Sequence, residues 1–459
     1  MEQSVITRTG MVAPGRFAPG HLGELTQQVP FELVDAVLSQ TGRLQSRVRD
    51  LPARVVGYLL LAGCLFAEQG YGQVWQRLCA GLDGLKLATP TASALTKARR
   101  RLGPAPLRAL FALLAGPAPM AATAGVRVGG LLVCAIDGTT LSVADTPANL
   151  AAYAKHSCHN GGSGYPLLRL VALVACGTRS LIDVAYGPTS SGETTMCQRL
   201  VASLGPGMLV LCDRNLTTNT LIGRIAATNA HLLGRCKTDR KLPVLGRLGD
   251  GSWLSVMGGV TVRVIQAEIT ITTGAGRASG SYRLATTLTD PRTWPAATLV
   301  ALYHQRWEIE TAYLELKSSI LGGRVLRART PAGIDQEVHA LLVCYQLLRL
   351  AMADATSSQA GIDPDRASFT IALQAARDQL IQAAGVIQET VIDLVGKIGR
   401  AVLANLLADR RLRVAPRIVK RAISKYNARG PTINRTSYKA TLSIDILCPP
   451  SPLTARAGP

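Results

Sequence analysis

The chain has 459 residues and a formal net charge of +21. This charge is extreme for a soluble enzyme and indicates a polyanionic partner, either nucleic acid or an anionic membrane surface. The longest apolar run, residues 55–67, is interrupted by glycines and too short to cross a bilayer, and no apolar stretch follows the N-terminal arginines, so we expect neither a membrane span nor a signal peptide. The ten scattered cysteines form no C-x-x-C pair and favour buried thiols in a reducing cytoplasm.

The first 130 residues predict a helical segment between two irregular ones. Residues 1–20 are rich in Gly, Pro and Arg and predict disorder. Residues 21–116 have helical periodicity throughout, and the basic stretch 91–102 is similar to the second helix of a helix-turn-helix unit. An ordinary basic helix surface is the alternative for that stretch. The Pro-, Ala- and Gly-rich residues 116–130 predict a linker.

Two buried strands each present one aspartate. Asp137 lies in the apolar run 131–143, and Asp213 ends the run 207–213. Taken singly, Asp137 with its following glycine also fits a turn, and Asp213 also fits a helix cap. The pattern around the two strands predicts a hairpin (167–176 and 180–186), a helix (193–204), a second helix (221–229) and a short strand (230–237).

Residues 239–290 alternate apolar and polar side chains, with Gly-rich stretches between them. This pattern predicts a β-rich insertion, because alternation with period two is typical of half-buried strands. Trp253 lies in this segment and Trp294 directly after it.

Residues 303–317 contain no Gly or Pro and predict a helix of about four turns. At roughly 100° per residue, an arc of about 60° holds four polar side chains, which are Tyr303, Arg306, Glu310 and Lys317. Glu308 and Glu315 are predicted to project from the other side. A solvated face with i,i+4 pairs is the alternative, but Glu310 and Lys317 lie about 10 Å apart along the axis, too far for a simple pair. A row of cation, carboxylate and cation instead suits an extended anionic strand with a metal ion in the middle.

The C-terminal region, residues 351–459, is predicted to be helical and basic. Its most basic part, residues 410–439, includes Arg417, Lys420 and Arg421. A charge run is usually solvated, but one this unbalanced on a basic protein favours contact with phosphate.

The spacing Y-x-x-R-x-x-x-E-x-x-x-x-x-x-K at residues 303–317, with Trp307 following the arginine, resembles the signature of the insertion-sequence-four family of bacterial DDE transposases. The resemblance implies an α/β catalytic core of the ribonuclease H-like (retroviral-integrase-like) class at residues 126–238 and 291–350, with the β-rich insertion at 239–290. It also implies that residues 21–116 form a helical DNA-binding domain. The order of strands and helices predicted from the pattern agrees with that fold.

The resemblance further implies that Asp137, Asp213 and Glu310 are the catalytic carboxylates. Three carboxylates at one edge of a sheet repel unless divalent cations lie among them, and ligands that are all oxygen select Mg²⁺ or Mn²⁺. Two such ions about 4 Å apart activate a water or a 3′-hydroxyl on one side of a phosphate and stabilise the leaving oxygen on the other. The implied activity is binding of terminal inverted repeats followed by cut-and-paste cleavage and strand transfer, by a homodimer in the synaptic complex with duplex DNA.

Further residues are expected to contact the DNA. Those beside the carboxylates are Tyr303, Arg306, Trp307 and Lys317, and those in the basic tail are Arg417, Lys420 and Arg421. Members of the family often flip a base onto an aromatic side chain, for which Trp294 and Trp253 are the candidates.

Two other functions differ in class from a transposase. A transposase-derived DNA-binding protein without catalysis should have lost an acidic ligand, and all three are present here. A ribonuclease H-like nuclease that cuts without joining has the same carboxylates, so only an assay of strand joining separates it. A membrane-surface protein fits least, since no strongly amphipathic basic helix stands outside a core pattern.

The basic tail generates one prediction. Neutralising Arg417, Lys420 and Arg421 together should weaken DNA binding and its salt dependence, because each lost phosphate contact flattens the slope of log K against log salt by about 0.9. Binding to a duplex measured across a salt series checks this. An unchanged slope would mean that the tail is solvated.

Overall fold

The computed structural model describes residues 11–12, 16–45, 47, 49–118, 126–158, 161–237, 239–274, 276–384, 395–408, 413–414 and 438–448. Within these residues the protein is a mixed α/β fold, with one large sheet covered by helices on both faces.

A short ladder and five α-helices precede the large sheet in the described part of the chain. Strands β1 and β2 are Met11–Val12 and Arg16–Phe17. The helices are α1 Phe31–Gln40, α2 Ala53–Leu65, α3 Tyr71–Cys79, α4 Ala92–Leu102 and α5 Ala105–Leu114. The backbone of Phe17 bonds to Lys86 and Ala88, and Ala18 is buried. The prediction of disorder up to residue 20 is therefore wrong for residues 16–20, while residues 1–10 and 13–15 lie outside the described part.

The large sheet contains thirteen strands among the described residues. They are β3 Arg127–Val128, β4 Leu131–Ser142, β5 Lys155–Cys158, β6 Gly161–Ala175, β7 Leu181–Pro188, β8 Met208–Cys212, β9 His231–Arg235, β10 Gly246–Arg247, β11 Trp253–Met257, β12 Val260–Thr273, β13 Gly276–Thr286, β14 Arg413–Val414 and β15 Tyr438–Leu447. Its middle has the order β7-β6-β4-β8-β9. The first three of these strands run antiparallel, and β4, β8 and β9 run parallel.

Eight further α-helices follow β4 in the described part of the chain. They are α6 Pro147–Ala152, α7 Glu193–Leu200, α8 Asn219–Ala227, α9 Ala296–Leu302, α10 Trp307–Leu314, α11 Pro331–Ser357, α12 Phe369–Ile381 and α13 Gly396–Ala404. Side chains alternate along β4, so Val133 and Ala135 pack under α10 and α11, while Cys134 and Ile136 pack under α7 and α8. Odd-numbered residues of β4 thus face the layer that contains residues 303–317.

Helix α11 is the central helix of the larger core. It is long and apolar enough to cross a membrane, but 89% of its most apolar window is buried inside the fold. It packs against α2, α5, α12 and α13, so the N-terminal helices and the C-terminal helices share one continuous core.

The segment 239–290 extends the large sheet through β10 to β13, because β13 pairs with β9. Strand β15 then pairs with β12 over eight positions, from Gln266–Leu447 to Thr273–Ala440. The prediction of a helical C-terminal region is therefore wrong for residues 438–447, which form a strand. A local pattern does not reveal this pairing because the two partners are separated by more than 150 residues of sequence.

Candidate active site

Two aspartates lie side by side at the centre of the sheet. Ile136 of β4 pairs with Cys212 of the parallel strand β8, and Asp137 and Asp213 are the next residues along each chain. Neighbouring strands lie about 4.8 Å apart, so the backbones of the two aspartates are close. Asp137 occupies an odd-numbered position of β4 and faces the layer of residues 303–317, where Arg306 bonds to it.

Residues 303–320 cross the sheet as three kinds of helix. A 3₁₀ turn, Tyr303–Arg306, leads into α10, and a π-helical segment, Glu315–Ile320, follows. The prediction of one regular helix is therefore wrong. Two tyrosine hydroxyls fix the crossing, since Tyr303 donates to the carbonyl of Cys212 at 2.9 Å and Tyr313 donates to the carbonyl of Asp137 at 2.6 Å.

Arg306 joins two of the three predicted carboxylates. Its Nη1 donates to Asp137 Oδ2 at 3.1 Å, and its Nη2 donates to Glu310 Oε1 at 3.0 Å. Burial disfavours the charged guanidinium, but Tyr303, Asp137 and Glu310 outweigh this effect, so the pKa of Arg306 is raised. One guanidinium therefore spans the gap between the sheet carboxylate and the helix carboxylate.

The two aspartates are held by backbone N–H groups. Asp137 Oδ1 accepts from its neighbour Gly138 at 2.8 Å, and Asp213 Oδ1 accepts from Asn215 and Leu216 at 2.8 and 2.9 Å. Asp213 thus caps the turn that follows β8 while also lying beside Asp137. The alternative of a helix cap is wrong, because Thr218 is the N-cap of α8. Burial raises the pKa of Asp137 to about 6, although the Gly138 bond and the charge of Arg306 oppose the shift.

These carboxylates have the ligand chemistry for a divalent cation, since every donor is an oxygen. Among the described residues, however, no three acidic, histidine or cysteine side chains are grouped closely enough to form a ready metal site. Asp137 and Glu310 instead share the Arg306 cation. A metal ion between them therefore requires Arg306 to move aside, and metal binding by the three carboxylates stays a prediction.

A fourth carboxylate, which the sequence did not single out, lies next to this site. Glu193 begins α7, and its Oε1 would lie 2.5 Å from a Cβ on Gly138. The glycine therefore leaves room for the carboxylate, whose charge contributes to the raised pKa of Asp137. The only signal in the sequence is the glycine that follows Asp137.

The other predicted DNA contacts beside the site differ in their surroundings. Lys317 donates to Thr139 Oγ1 of β4 at 3.2 Å, and burial lowers its pKa. The Trp307 ring is 51% exposed, with the Arg306 guanidinium 5.7 Å from its centre. Tyr303, Arg306 and Lys317 thus point toward the sheet, and of these Arg306 bonds to carboxylates, while Trp307 faces solution.

The two candidates for a flipped base are placed differently. Trp253 is only 3% exposed and packs in the core under α7 and α8, so its ring cannot receive a base without rearrangement. Trp294 is half-buried, and its ring lies against Gly129. Arg417, Lys420 and Arg421 lie outside the described residues.

Glu308 and Glu315 are buried, although the helical pattern predicted that they project away from the core. They bond to arginines on other elements, which a helical pattern cannot foresee. In α4, Lys97 and Arg100 are exposed, whereas Arg99 stacks on Tyr71 with its guanidinium 3.8 Å from the ring centre.

Two known protein families match separate parts of the chain. The family described as "Insertion element 4 transposase N-terminal" matches residues 19–112. The family described as "Transposase DDE domain" matches residues 129–347, which contain all three predicted catalytic carboxylates.

Similar proteins include two from Escherichia coli strain K12. "Transposase InsG for insertion sequence element IS4" is 26% identical over 413 residues, which cover 86% of this chain and 91% of that protein. "Putative transposase InsZ" is 25% identical over 198 residues, which cover 43% of this chain and 64% of that protein. A solved structure of a piggyBac transposase synaptic complex with hairpin DNA aligns over 84% of this chain and 85% of that one, at 10% identity and a TM-score of 0.41, too weak a likeness to establish a shared fold.

The raised pKa of Asp137 predicts how stability depends on pH. The folded chain binds this proton more tightly than the unfolded chain, so stability falls as the pH rises from about 4 to 6 and stays lower above that range. Asp137→Asn cannot ionise, so it should be more stable than the wild type at pH 8, by about 1–2 kcal/mol, and equal to it at pH 4. Urea unfolding with a chelator present measures this. Equal stability at pH 8, or the same gain from the exposed Asp239→Asn, would contradict it.

Proposed function

The chain belongs to the insertion-sequence-four family of DDE transposases, and we propose that it binds the terminal inverted repeats of its element, cuts the DNA there and joins the freed 3′-hydroxyls to a target. The observation that carries the proposal is the Arg306 bridge. It brings Asp137 and Glu310 together, while Asp213 occupies the matching position on the adjacent strand.

The strand order supports a ribonuclease H-like core as part of this proposal. Three antiparallel strands, β7, β6 and β4, are followed across the sheet by β8 and β9, which run parallel to β4. The proposed core comprises residues 126–238 and 291–350, with 239–290 as the insertion and 21–116 as the DNA-binding domain. Asp137 lies in β4, Asp213 directly follows β8 and Glu310 lies in α10. Sites built on strands and helices keep their geometry better than sites built on loops.

Asp137, Asp213 and Glu310 are proposed to hold two Mg²⁺ or Mn²⁺ ions. When bound, such ions activate an attacking water or 3′-hydroxyl and stabilise the leaving oxygen of the phosphate. The all-oxygen donor set fits this group, and the acidity of Asp137 fits as well, since the carboxylate with a pKa near 6 is ionised at neutral pH. The backbone N–H groups that bind Oδ1 of each aspartate orient the two side chains.

Arg306 has two proposed partners. Without DNA its guanidinium neutralises Asp137 and Glu310, and with DNA it turns to a phosphate beside the cut, leaving the carboxylates to the cations. Lys317, whose ammonium reaches Thr139 further along β4, grips the strand beyond it. Tyr303 acts differently from the expectation of a phosphate contact, since its hydroxyl anchors the helix to Cys212.

Duplex DNA is the proposed partner, as transposon ends and as target. The net charge of +21 supports a polyanion. The exposed Lys97 and Arg100 of α4 offer phosphate contacts in the N-terminal region. We further propose that two copies hold the two ends together, and that the protein works in the bacterial cytoplasm on the nucleoid.

One experiment separates the proposed function from its two alternatives. A duplex carrying the inverted repeats that flank the coding region is incubated with Mg²⁺ and a target plasmid, using wild type, Asp137→Asn, Asp213→Asn and Glu310→Gln. The wild type should cut and join, while each variant should bind the ends and do neither, because one cation ligand is lost. Cutting without joining would indicate a nuclease, and binding without cutting would indicate a silent DNA-binding protein.

Glu193 generates a second prediction. Its negative charge disfavours ionisation of Asp137, so Glu193→Gln should lower the pKa of Asp137 in the metal-free protein. Gly138→Ala should shift this pKa in the same direction, because its methyl group displaces the flexible end of Glu193. Gly205→Ala is the control, since a Cβ there meets nothing within 4 Å. Titration curves of the Asp137 carboxyl group, measured with a chelator present, that coincide for all four proteins would remove Glu193 from the site.

A further inference from the structure

A buried ion cluster lies on the side of residues 303–320 that faces away from Asp137. Its members are Arg179, Glu308, Glu315, Arg349 and Asp365. Each nitrogen of the Arg179 guanidinium bonds to a different carboxylate. Nε reaches Glu308 at 2.6 Å, Nη1 reaches Glu315 at 3.3 Å and Nη2 reaches Asp365 at 2.5 Å.

The cluster is almost fully removed from solution. Arg179 is 6% exposed and Glu308 is 0% exposed. Buried charges are costly unless they are paired, and here the three carboxylates outweigh the effect of burial and raise the pKa of Arg179. Because each guanidinium nitrogen of Arg179 bonds to a separate buried carboxylate, the fold holds these side chains in one geometry.

The backbone at Arg179 is also constrained. The residue lies in the turn between β6 and β7 with φ at +56°, a left-handed conformation that non-glycine residues rarely adopt. Such conformations persist only where the surroundings over-determine them, and they cluster at functional sites. The carbonyl of Arg179 accepts from Tyr345 Oη at 3.1 Å, which ties the turn to α11.

Glu308 and Glu315 bracket the proposed catalytic Glu310 on the same segment. Glu315 lies where α10 gives way to the π-helical segment, and it also bonds to Arg349 and to Tyr345 Oη. The rotation and the axial position of α10 are therefore set on one side by Arg179 and on the other by the bonds of Arg306 and Tyr313 to Asp137.

We propose that Arg179 is a positioning residue, which sets the place of Glu310 relative to Asp137 and Asp213 by holding Glu308 and Glu315. This inference rests on the proposed function, because it assumes that Glu310 binds a cation. Arg179 is buried and its guanidinium bonds to Glu308, Glu315 and Asp365, so we infer that it acts through the helix. Displacement of a catalytic group by about 1 Å can cost roughly 10²-fold in rate.

The test compares Arg179→Lys with a matched buried arginine. The lysine keeps the charge and loses the three-way fork. Arg263→Lys is the control, since Arg263 is 0% exposed and its fork bonds to Asp250, Ser252 Oγ and the carbonyl of Trp294, away from the carboxylates. Glu308→Gln, which keeps the volume of the side chain, is the second variant and reports on the same contact if Arg179→Lys does not fold.

Four quantities are measured for each protein: melting temperature, Mn²⁺ affinity, affinity for an end-containing duplex in Ca²⁺, and the rate of cleavage. Both variants of the cluster should bind Mn²⁺ at least about tenfold more weakly and cleave about 10²-fold more slowly, with end binding within about twofold of the wild type. Raising the Mn²⁺ concentration should restore part of the rate. Arg263→Lys should lower the melting temperature without changing Mn²⁺ affinity.

Two results would overturn the inference. One is wild-type Mn²⁺ affinity and cleavage in the folded cluster variants, and the other is an equal loss in Arg263→Lys, which would indicate general destabilisation. A wild-type protein that neither binds Mn²⁺ nor cleaves would refute the proposed function itself, so the two failures are distinguishable.

Discussion

Repulsion among carboxylates is the constraint around which the centre of this fold is arranged. Parallel pairing of β4 with β8 places Asp137 and Asp213 side by side, and residues 303–320 bring Glu310 to the Arg306 guanidinium that also bonds to Asp137. Without cations, such a group opposes folding. Arg306 offsets part of the repulsion by bonding to two of the carboxylates, while burial holds the pKa of Asp137 near 6. Active sites commonly hold charged groups whose pKa values are shifted, at a cost in the stability of the fold.

The helix that carries Glu310 has charged contacts on both of its sides. Toward the sheet, Arg306 and Tyr313 contact Asp137, and on the opposite side Glu308 and Glu315 are bound by Arg179. A buried pair contributes little net stability on average, but it allows few alternative geometries. Contacts on both sides constrain the backbone of this segment, and its geometry changes from 3₁₀ to α to π along its length.

Sequence periodicity predicted much of the middle of the sheet, because buried strands and amphipathic helices have distinct patterns. The helical periodicity of residues 303–317 also predicted that Arg306 and Glu310 lie on one face. The rest depended on contacts between distant residues. Burial of Glu315 requires Arg179 and Arg349, the space for Glu193 requires Gly138, and β15 pairs with β12 across most of the C-terminal half. No local pattern carries such information, and for the same reason the sequence does not reveal that Trp253, a candidate for the flipped base, is buried.

Iron-mediated cleavage of the polypeptide tests most directly whether the three carboxylates share metal ions. Fe²⁺ replaces Mg²⁺ in the protein bound to an end-containing duplex, and ascorbate with peroxide then generates radicals that cut the backbone next to the metal. The account predicts cuts near residues 137, 213 and 310 together, all competed away by Mg²⁺ and all lost in Asp137→Asn. Cuts at only one of these positions, or cuts elsewhere that Mg²⁺ suppresses, would contradict a shared site.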